Sequence, residues 1–283
     1  MAVNLKRIGI AAAAMLLAVA VLSAVVSFGA SRTSQAASPP TLQFACDYLK
    51  RESIDPIVDP AVSHVHEFYG NRSVNANSTY NSLKANPATT CRINEATSSY
   101  WHPAFREGGN VQGPIAIRNY YSDLNVIDPD MKPIPDGLQI IATEANGNVR
   151  YKCGWRNSAT TTLPIGCTEP WAVSFEFPNC WDPNAGLGPN SVKFGEPRCP
   201  STHPYQFPNL RMEVFYPRPP DGRLSAPLEV SMGGGEWGLA SEFAHADRMD
   251  GDPDAFDTKW LGPCVLNTTS SPSVDCSPGR QAP

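Results

Sequence analysis

His64 and His66 stand one residue apart in Ser63-His64-Val65-His66-Glu67-Phe68-Tyr69-Gly70. Side chains alternate along a strand, so both imidazoles turn to one face, which is how a sheet builds half of a metal site. His203 or His245, the latter with Asp247 two residues on, would complete three or four ligands and leave a position for water. The expected ion is a divalent metal such as zinc, which needs only nitrogen and oxygen donors in tetrahedral reach; manganese or iron would want more carboxylate. The competing reading is that these histidines are hydrogen-bonding groups in a loop-rich fold.

Acid–base chemistry at such a site needs carboxylates. Asp182 and Asp247 are candidates, and Glu67 is a third if a bulge returns it to the face of the histidine pair. A glycosidase pair drawn from Asp182, Glu213, Glu236, Glu242 and Asp247 is available, although sequence does not measure their separation. Tyr69, Trp101, Tyr121 and Trp181, with Tyr120 and Trp237, would line a sugar groove; the alternative for most of the tryptophans is the core.

Other sites that begin with His-x-His fit less well. A cupin wants a glutamate four or five residues after the second histidine, where this chain has Gly70 and Asn71. A barrel of eight strand–helix units is incompatible with 28 prolines and 21 glycines in 283 residues. No histidine lies near Ala37 to open a mature chain with a copper brace, and no Gly-x-Ser-x-Gly elbow is present. Gly233-Gly234-Gly235-Glu236-Trp237-Gly238 matches the dinucleotide fingerprint literally, but only 45 residues follow it. A glycine turn or bulge is the better reading.

The elements that position these residues are short. Proline and glycine interrupt nearly every stretch before three helical turns form. Alternating runs at Ile115 to Tyr121, Leu138 to Ala142, Val149 to Cys153, Trp171 to Phe177, Leu210 to Tyr216 and Leu228 to Met232 predict strands. Two short helices are expected, one near Ser78 to Ala85 and one capped by Asp252 and running toward Trp260. The expected fold is all-β, a sandwich or jelly roll with short decorating helices, stabilised by disulfides.

Lys6 and Arg7 precede an uncharged apolar stretch from Ile8 to Ala30 and a small-residue exit at Ala36-Ala37. This is a secretory signal layout, with an uncleaved outward-facing anchor as its rival, and either places the remainder outside the cytoplasm. The expected organisation is a signal over 1–36, a linker over 37–45, one β-rich domain over 46–266 and a mobile tail over 267–283. Cleavage after Ala36 removes Lys6, Arg7 and Arg32, which takes the formal charge from −5 to −8. That charge repels phosphate backbones and anionic lipid, so no nucleic-acid or membrane partner is expected beyond the possible anchor.

Eight cysteines in an exported chain, with no Cys-x-x-Cys, read as disulfides. The separations 153 to 167, 180 to 199 and 264 to 276 make local bridges plausible, although four bridges allow 105 connectivities.

The ordered set His64-Val65-His66-Glu67-Phe68-Tyr69-Gly70-Asn71, Ser99-Tyr100-Trp101-His102-Pro103, Pro135-Asp136-Gly137-Leu138, Phe177-Pro178-Asn179-Cys180-Trp181-Asp182, Cys199-Pro200 to His203-Pro204 and His245-Ala246-Asp247 resembles a secreted uncharacterised family, domain of unknown function nineteen-ninety-six. The resemblance spans roughly residues 45 to 265. It implies secretion and a shared pocket of histidines and aromatics, often beside wall- or sugar-binding modules, and no established reaction. The chain departs from the usual pattern after Cys-Trp-Asp, where further histidines are common, and at Arg248, where an aromatic is common. The functional expectation is a polysaccharide-active hydrolase or lyase with His64, His66, His203 and His245 as a metal or acid/base cluster. A non-catalytic domain binding polysaccharide or cell wall is the alternative.

Overall fold

Few helices form because proline removes donors and clashes within helices, and the chain pairs instead in antiparallel strands. A computed structural model describes residues 40–58, 64–122, 130–144, 147–195, 198–266 and 274–278. The expected signal over 1–36 lies outside them, as does most of the expected tail. The strands are β1 (Thr41–Glu52), β2 (His66–Gly70), β3 (Ser99–Pro103), β4 (Phe105–Glu107), β5 (Asn110–Val111), β6 (Ala116–Ser122), β7 (Gln139–Thr143) and β8 (Val149–Cys153). They continue as β9 (Trp171–Glu176), β10 (Cys180–Trp181), β11 (Val192–Lys193), β12 (Tyr205–Gln206), β13 (Asn209–Tyr216), β14 (Leu228–Gly233), β15 (Glu236–Leu239) and β16 (His245–Met249).

Nine of them form one sheet in the order β7-β16-β3-β2-β1-β6-β13-β9-β8. Its edges, β7 and β8, are consecutive in the chain, and the sheet is nearly closed on itself. A four-stranded sheet, β15-β14-β4-β5, and a three-stranded one, β11-β10-β12, complete the β structure. The fold is all-β, as the alternating runs require.

Alternation divides β2, β3 and β16 between two cores. Tyr69, Tyr100 and Ala246 face the large core with Phe44, Tyr121, Trp171, Val173 and Phe175. Phe68, Trp101 and Met249 face a smaller cluster with Val74 and Leu83, flanked by Leu49, Ile54 and Ile57. His66, Phe68, Trp101, His245 and Asp247 share this second face. Burying an aromatic such as Trp101 completely stabilises the chain by about 1.5–3 kcal/mol, so the layer beneath the histidines is firmly packed.

Local chemistry ties this layer together. Gly70 has φ +83°, and a Cβ there would run into the Ser98 carbonyl, so only glycine closes β2 against β3. Asn71 is fully buried and donates to the carbonyls of Leu83, Asn86 and Thr97, fastening β2 to the helix Tyr80–Ala85. That helix is capped by Thr79, whose hydroxyl accepts from the Ser82 N–H while the Ser82 hydroxyl accepts from the Thr79 N–H.

All eight cysteines are paired, as Cys46–Cys91, Cys153–Cys167, Cys180–Cys199 and Cys264–Cys276. The three local bridges are those the spacings favour. No helix among the described residues is long and apolar enough to cross a membrane.

Two expectations need correction, and the glycine turn at residues 233–235 is as expected. β1 begins at Thr41, so residues 41–45 are sheet rather than linker, held by pairing with β6. The second helix starts at Asp254 with Pro253 as its cap and runs on as a π-helix over Asp257–Leu266. Asp252 caps nothing in that helix; its carboxylate accepts from the backbone of Thr97 and Ser98 and from Arg248. The triple glycine takes positive φ throughout at the β14–β15 turn, with a register shift between Ser231 and Gly233, which disposes of the dinucleotide reading.

Candidate functional site

His64, His66 and His245 converge, with one ligand atom from each lying within 4.8 Å of the others. Ring centroids are 5.3 Å apart for His64–His66, 5.0 Å for His64–His245 and 6.0 Å for His66–His245. The sheet explains the meeting. β3 lies between β2 and β16; His66 pairs with Pro103, and continuing the β3–β16 register by two residues sets His245 opposite Pro103 too. The compact proline ring lets the two imidazoles close over it. His64 is held just ahead of β2, because the Val65 N–H donates to Ser231 Oγ at 2.9 Å and the Val65 carbonyl accepts from Ala104 at 2.7 Å.

Hydrogen bonds fix which ring nitrogens are free. His66 Nδ1–H donates to the Ile54 carbonyl at 2.8 Å, and His245 Nδ1–H to the Phe243 carbonyl at 2.9 Å. Each Nε2 is left as a lone pair, the arrangement seen around bound metals. His66 Nε2 and His64 Nδ1 are buried with no hydrogen-bond partner among the described residues. Burial, aided by the neighbouring His245, holds His66 well below the ordinary imidazole value, and burial brings His245 down to about 4. His64 is lowered by burial against the opposing pull of Asp55. All three are therefore neutral near pH 7, the protonation state that binds metal.

Two carboxylates flank the trio. Asp247 follows His245 on the same face of β16, with Oδ2 3.8 Å from His245 Nε2. Both its oxygens are buried without a hydrogen-bond partner. Burial raises its carboxyl well above the usual range, and the charge of Asp55 adds to this. Asp55 is buried as well, its Oδ1 accepting from the backbone of Ile57 and Val58. Val58, Leu239 and Phe243 are exposed, and the Phe243 ring lies so close to Gly238 that a Cβ there would sit 2.5 Å from it. Trp237 stands opposite Ser231, the residue that holds Val65.

Other candidates fall elsewhere. His203 is not a member of the trio; its Nδ1 is 3.0 Å from Thr202 Oγ1 in a turn beside the Cys180–Cys199 bridge. Glu67 stays on the opposite face of β2, fully buried, and accepts from Arg51 at 2.7 Å; the register shift of the β1–β2 pair falls at Tyr48/Lys50 on β1 and does not return it to the histidines. Asp182 shapes its own turn, accepting from the Asn184 N–H. Tyr69, Trp101 and Tyr121 are core residues with no exposed surface, so they do not line a groove. Trp181 is partly exposed, packed edge-on to Tyr205 in the small three-stranded sheet. Spacing gave no signal for Asp55, and burial decides the role of the aromatics, which alternation alone does not.

Arg248 also acquires a role. It is buried on the large-core side and donates to Ser98 Oγ, Asp250, Asp252 and the Tyr121 hydroxyl, the last at 3.2 Å. This network backs the histidine strand from behind.

The family described as Domain of unknown function (DUF1996) matches residues 55–251, and the chain belongs to it. The matched span runs from Asp55 past Asp247 and so contains every residue of the site. No curated protein and no solved structure matches the chain.

Proposed function

We propose that this member of a family without an assigned reaction is an exported, metal-dependent hydrolase or lyase acting on polysaccharide, with His64, His66 and His245 as its metal ligands. The observation that carries the reading is the convergence of His64, His66 and His245, with ligand atoms within 4.8 Å of one another, two of which, His64 Nδ1 and His66 Nε2, are buried with no hydrogen-bond partner among the described residues. Buried polar atoms are nearly always satisfied, and three imidazoles with neutral nitrogens are the donor set of catalytic zinc with a position open for water. Such an ion would make bound water nucleophilic near neutral pH. The N-terminal layout and four disulfides favour export. Trp237, across the β14–β15 ladder from the Ser231 that holds Val65, favours a sugar ring as the neighbouring ligand.

Elemental analysis of the secreted protein, combined with turnover on a glycan panel with and without chelator, tests this. About one transition-metal ion per chain, and hydrolysis lost on chelation and in His64→Ala, is the expected result. Glycan binding without metal and without turnover would instead assign a non-catalytic wall- or carbohydrate-binding domain, for which the partly exposed Trp181 and Tyr205 are the supporting surface.

A further inference from the structure

Building on the reading of the three imidazoles as a metal centre, we infer that Asp247 is a fourth protein ligand, so that the centre is three histidines and one carboxylate. Asp247 is two residues beyond His245 on the same face of β16, in register with Ile141 on one side and Trp101 on the other. Its side chain is 1% exposed, so water does not solvate it in bulk. Neither carboxylate oxygen finds a donor among the described residues. The neighbouring Trp101 Nε1 is itself buried without an acceptor, so the indole does not supply one.

His245 Nε2 lies 3.8 Å from Asp247 Oδ2, beyond hydrogen-bond length. That nitrogen is a lone pair, because the ring's proton is given to the Phe243 carbonyl. A lone pair and a carboxyl with no hydrogen-bond partner among the described residues therefore face each other in a buried site, and a cation between them would take the place of the carboxyl proton. Two atoms each about 2.1 Å from one ion are separated by about 3.0 Å at a right angle and about 4.2 Å when opposed. A separation of 3.8 Å falls inside that range. The three imidazole donors, within 4.8 Å of one another, need to draw in toward that range to share an ion. Asp247 is not among the atoms within that limit of all three, so its ligation requires its side chain to turn further toward His64 and His66. Asp55 lies in electrostatic reach of Asp247 and His64 and adds negative charge that favours a cation.

The consequence is a change of metal preference. A hard anionic oxygen beside three imidazoles suits manganese, iron(II) or zinc, and disfavours copper(I), which prefers sulfur.

The test uses the secreted chain stripped of metal and titrated with Mn²⁺, Zn²⁺ and Co²⁺, following affinity and the Co²⁺ visible spectrum for wild type, Asp247→Asn and His245→Ala. Asp247→Asn is expected to lose about 100-fold in Mn²⁺ affinity and to change the Co²⁺ spectrum, with secondary structure unchanged. Affinity within threefold of wild type and an identical spectrum would overturn the inference while leaving the histidine centre standing. A wild type that binds none of the three ions would overturn both. If Asp247→Asn does not fold, Asp247→Glu keeps the carboxylate and moves it by one methylene. A shifted Co²⁺ spectrum in that variant supports ligation, and an unshifted one overturns it.

Discussion

His66 is bound to Ile54 through a 2.8 Å hydrogen bond from Nδ1–H to the backbone carbonyl, and that single contact aims its Nε2 at His64 and His245. The bond joins the end of β1 to the start of β2 across the segment that contains Asp55, so positioning and folding share one side chain. His66→Ala is accordingly expected to do two things. It should abolish metal-induced stabilisation, and it should lower the stability of the metal-free protein by about 1 kcal/mol, because the half-buried Ile54 carbonyl loses its partner. Urea unfolding with and without metal checks both. An apo stability equal to wild type would show that the carbonyl is rehydrated.

Arg248 gives a second prediction. Its guanidinium bridges Asp250 at 2.7 Å and Asp252 at 2.9 Å in a buried network. Arg248→Leu keeps much of the volume and leaves both carboxylates without their cation, which costs about 3–5 kcal/mol for a broken buried pair. Chemical denaturation measures it. A loss under about 1 kcal/mol would mean that the aspartates are held by the backbone donors of Gly137, Thr97 and Ser98 alone.

The strands that read clearly in the sequence are those with one face in the large core. Trp171, Val173 and Phe175 alternate with Ala172, Ser174 and Glu176, and β9 falls where that pattern places it. β2, β3 and β16 carry the site and read poorly as strands because both of their faces are covered, so polar residues such as His102 and Arg248 interrupt the apolar pattern without reaching solvent. His102 shows how a histidine motif misleads. It lies in the large core, donates Nδ1–H to the Pro103 carbonyl and accepts the Tyr69 hydroxyl at 3.1 Å, and burial brings it down to about 3. The His64–His66 spacing was informative because alternation is a local rule, whereas choosing His245 over His203 depended on strand order, which is not.

Glu176 supplies a pH-dependent prediction. Burial raises its carboxyl to about 7, against the opposing pull of Arg211 and then Arg150. A carboxyl raised by folding favours the native state while it is protonated. That contribution is complete below the unfolded value of about 4.5 and is lost as pH rises through about 7. Glu176→Gln should match wild type at pH 4 and be more stable at pH 8 by about 2 kcal/mol, an order-of-magnitude figure from about 1.4 kcal/mol per unit with allowance for partial exposure. Parallel unfolding curves at the two pH values check it. A variant less stable than wild type at pH 8 would show that the attraction of Arg211 outweighs burial.

The disulfides rank by the loop that each closes. Cys46–Cys91 spans 45 residues and Cys264–Cys276 spans 12. Chain-entropy arguments give about 4 kcal/mol for the longer loop and about 3 kcal/mol for the shorter. Replacing each pair by serines should reproduce that order in urea. The reverse order would point to native contacts of the Cys276 segment, whose carbonyl accepts from the Gln43 N–H.

Trp237 is where substrate recognition is expected to be measurable apart from the metal. Its indole stacks with the Arg106 guanidinium, 4.4 Å from the ring centroid, and Arg106 is in turn fixed by Glu229 at 2.7 Å. Across the β14–β15 hairpin it faces Ser231, whose hydroxyl holds the backbone between His64 and His66. A sugar ring on this platform would meet an apolar face with charged hydrogen-bonding groups at its edge, as an amphipathic ligand requires. Trp237→Ala should raise KM for a soluble oligosaccharide, or weaken its binding to metal-free protein, by roughly 2- to 12-fold, corresponding to about 0.5–1.5 kcal/mol for an aromatic contact. Metal content should not change and kcat should fall little, because the indole ligates nothing. Calorimetric titration of chelated wild type and variant separates the two roles: equal affinities would remove Trp237 from the binding surface, and a loss of metal would make it a support of the histidine strand instead.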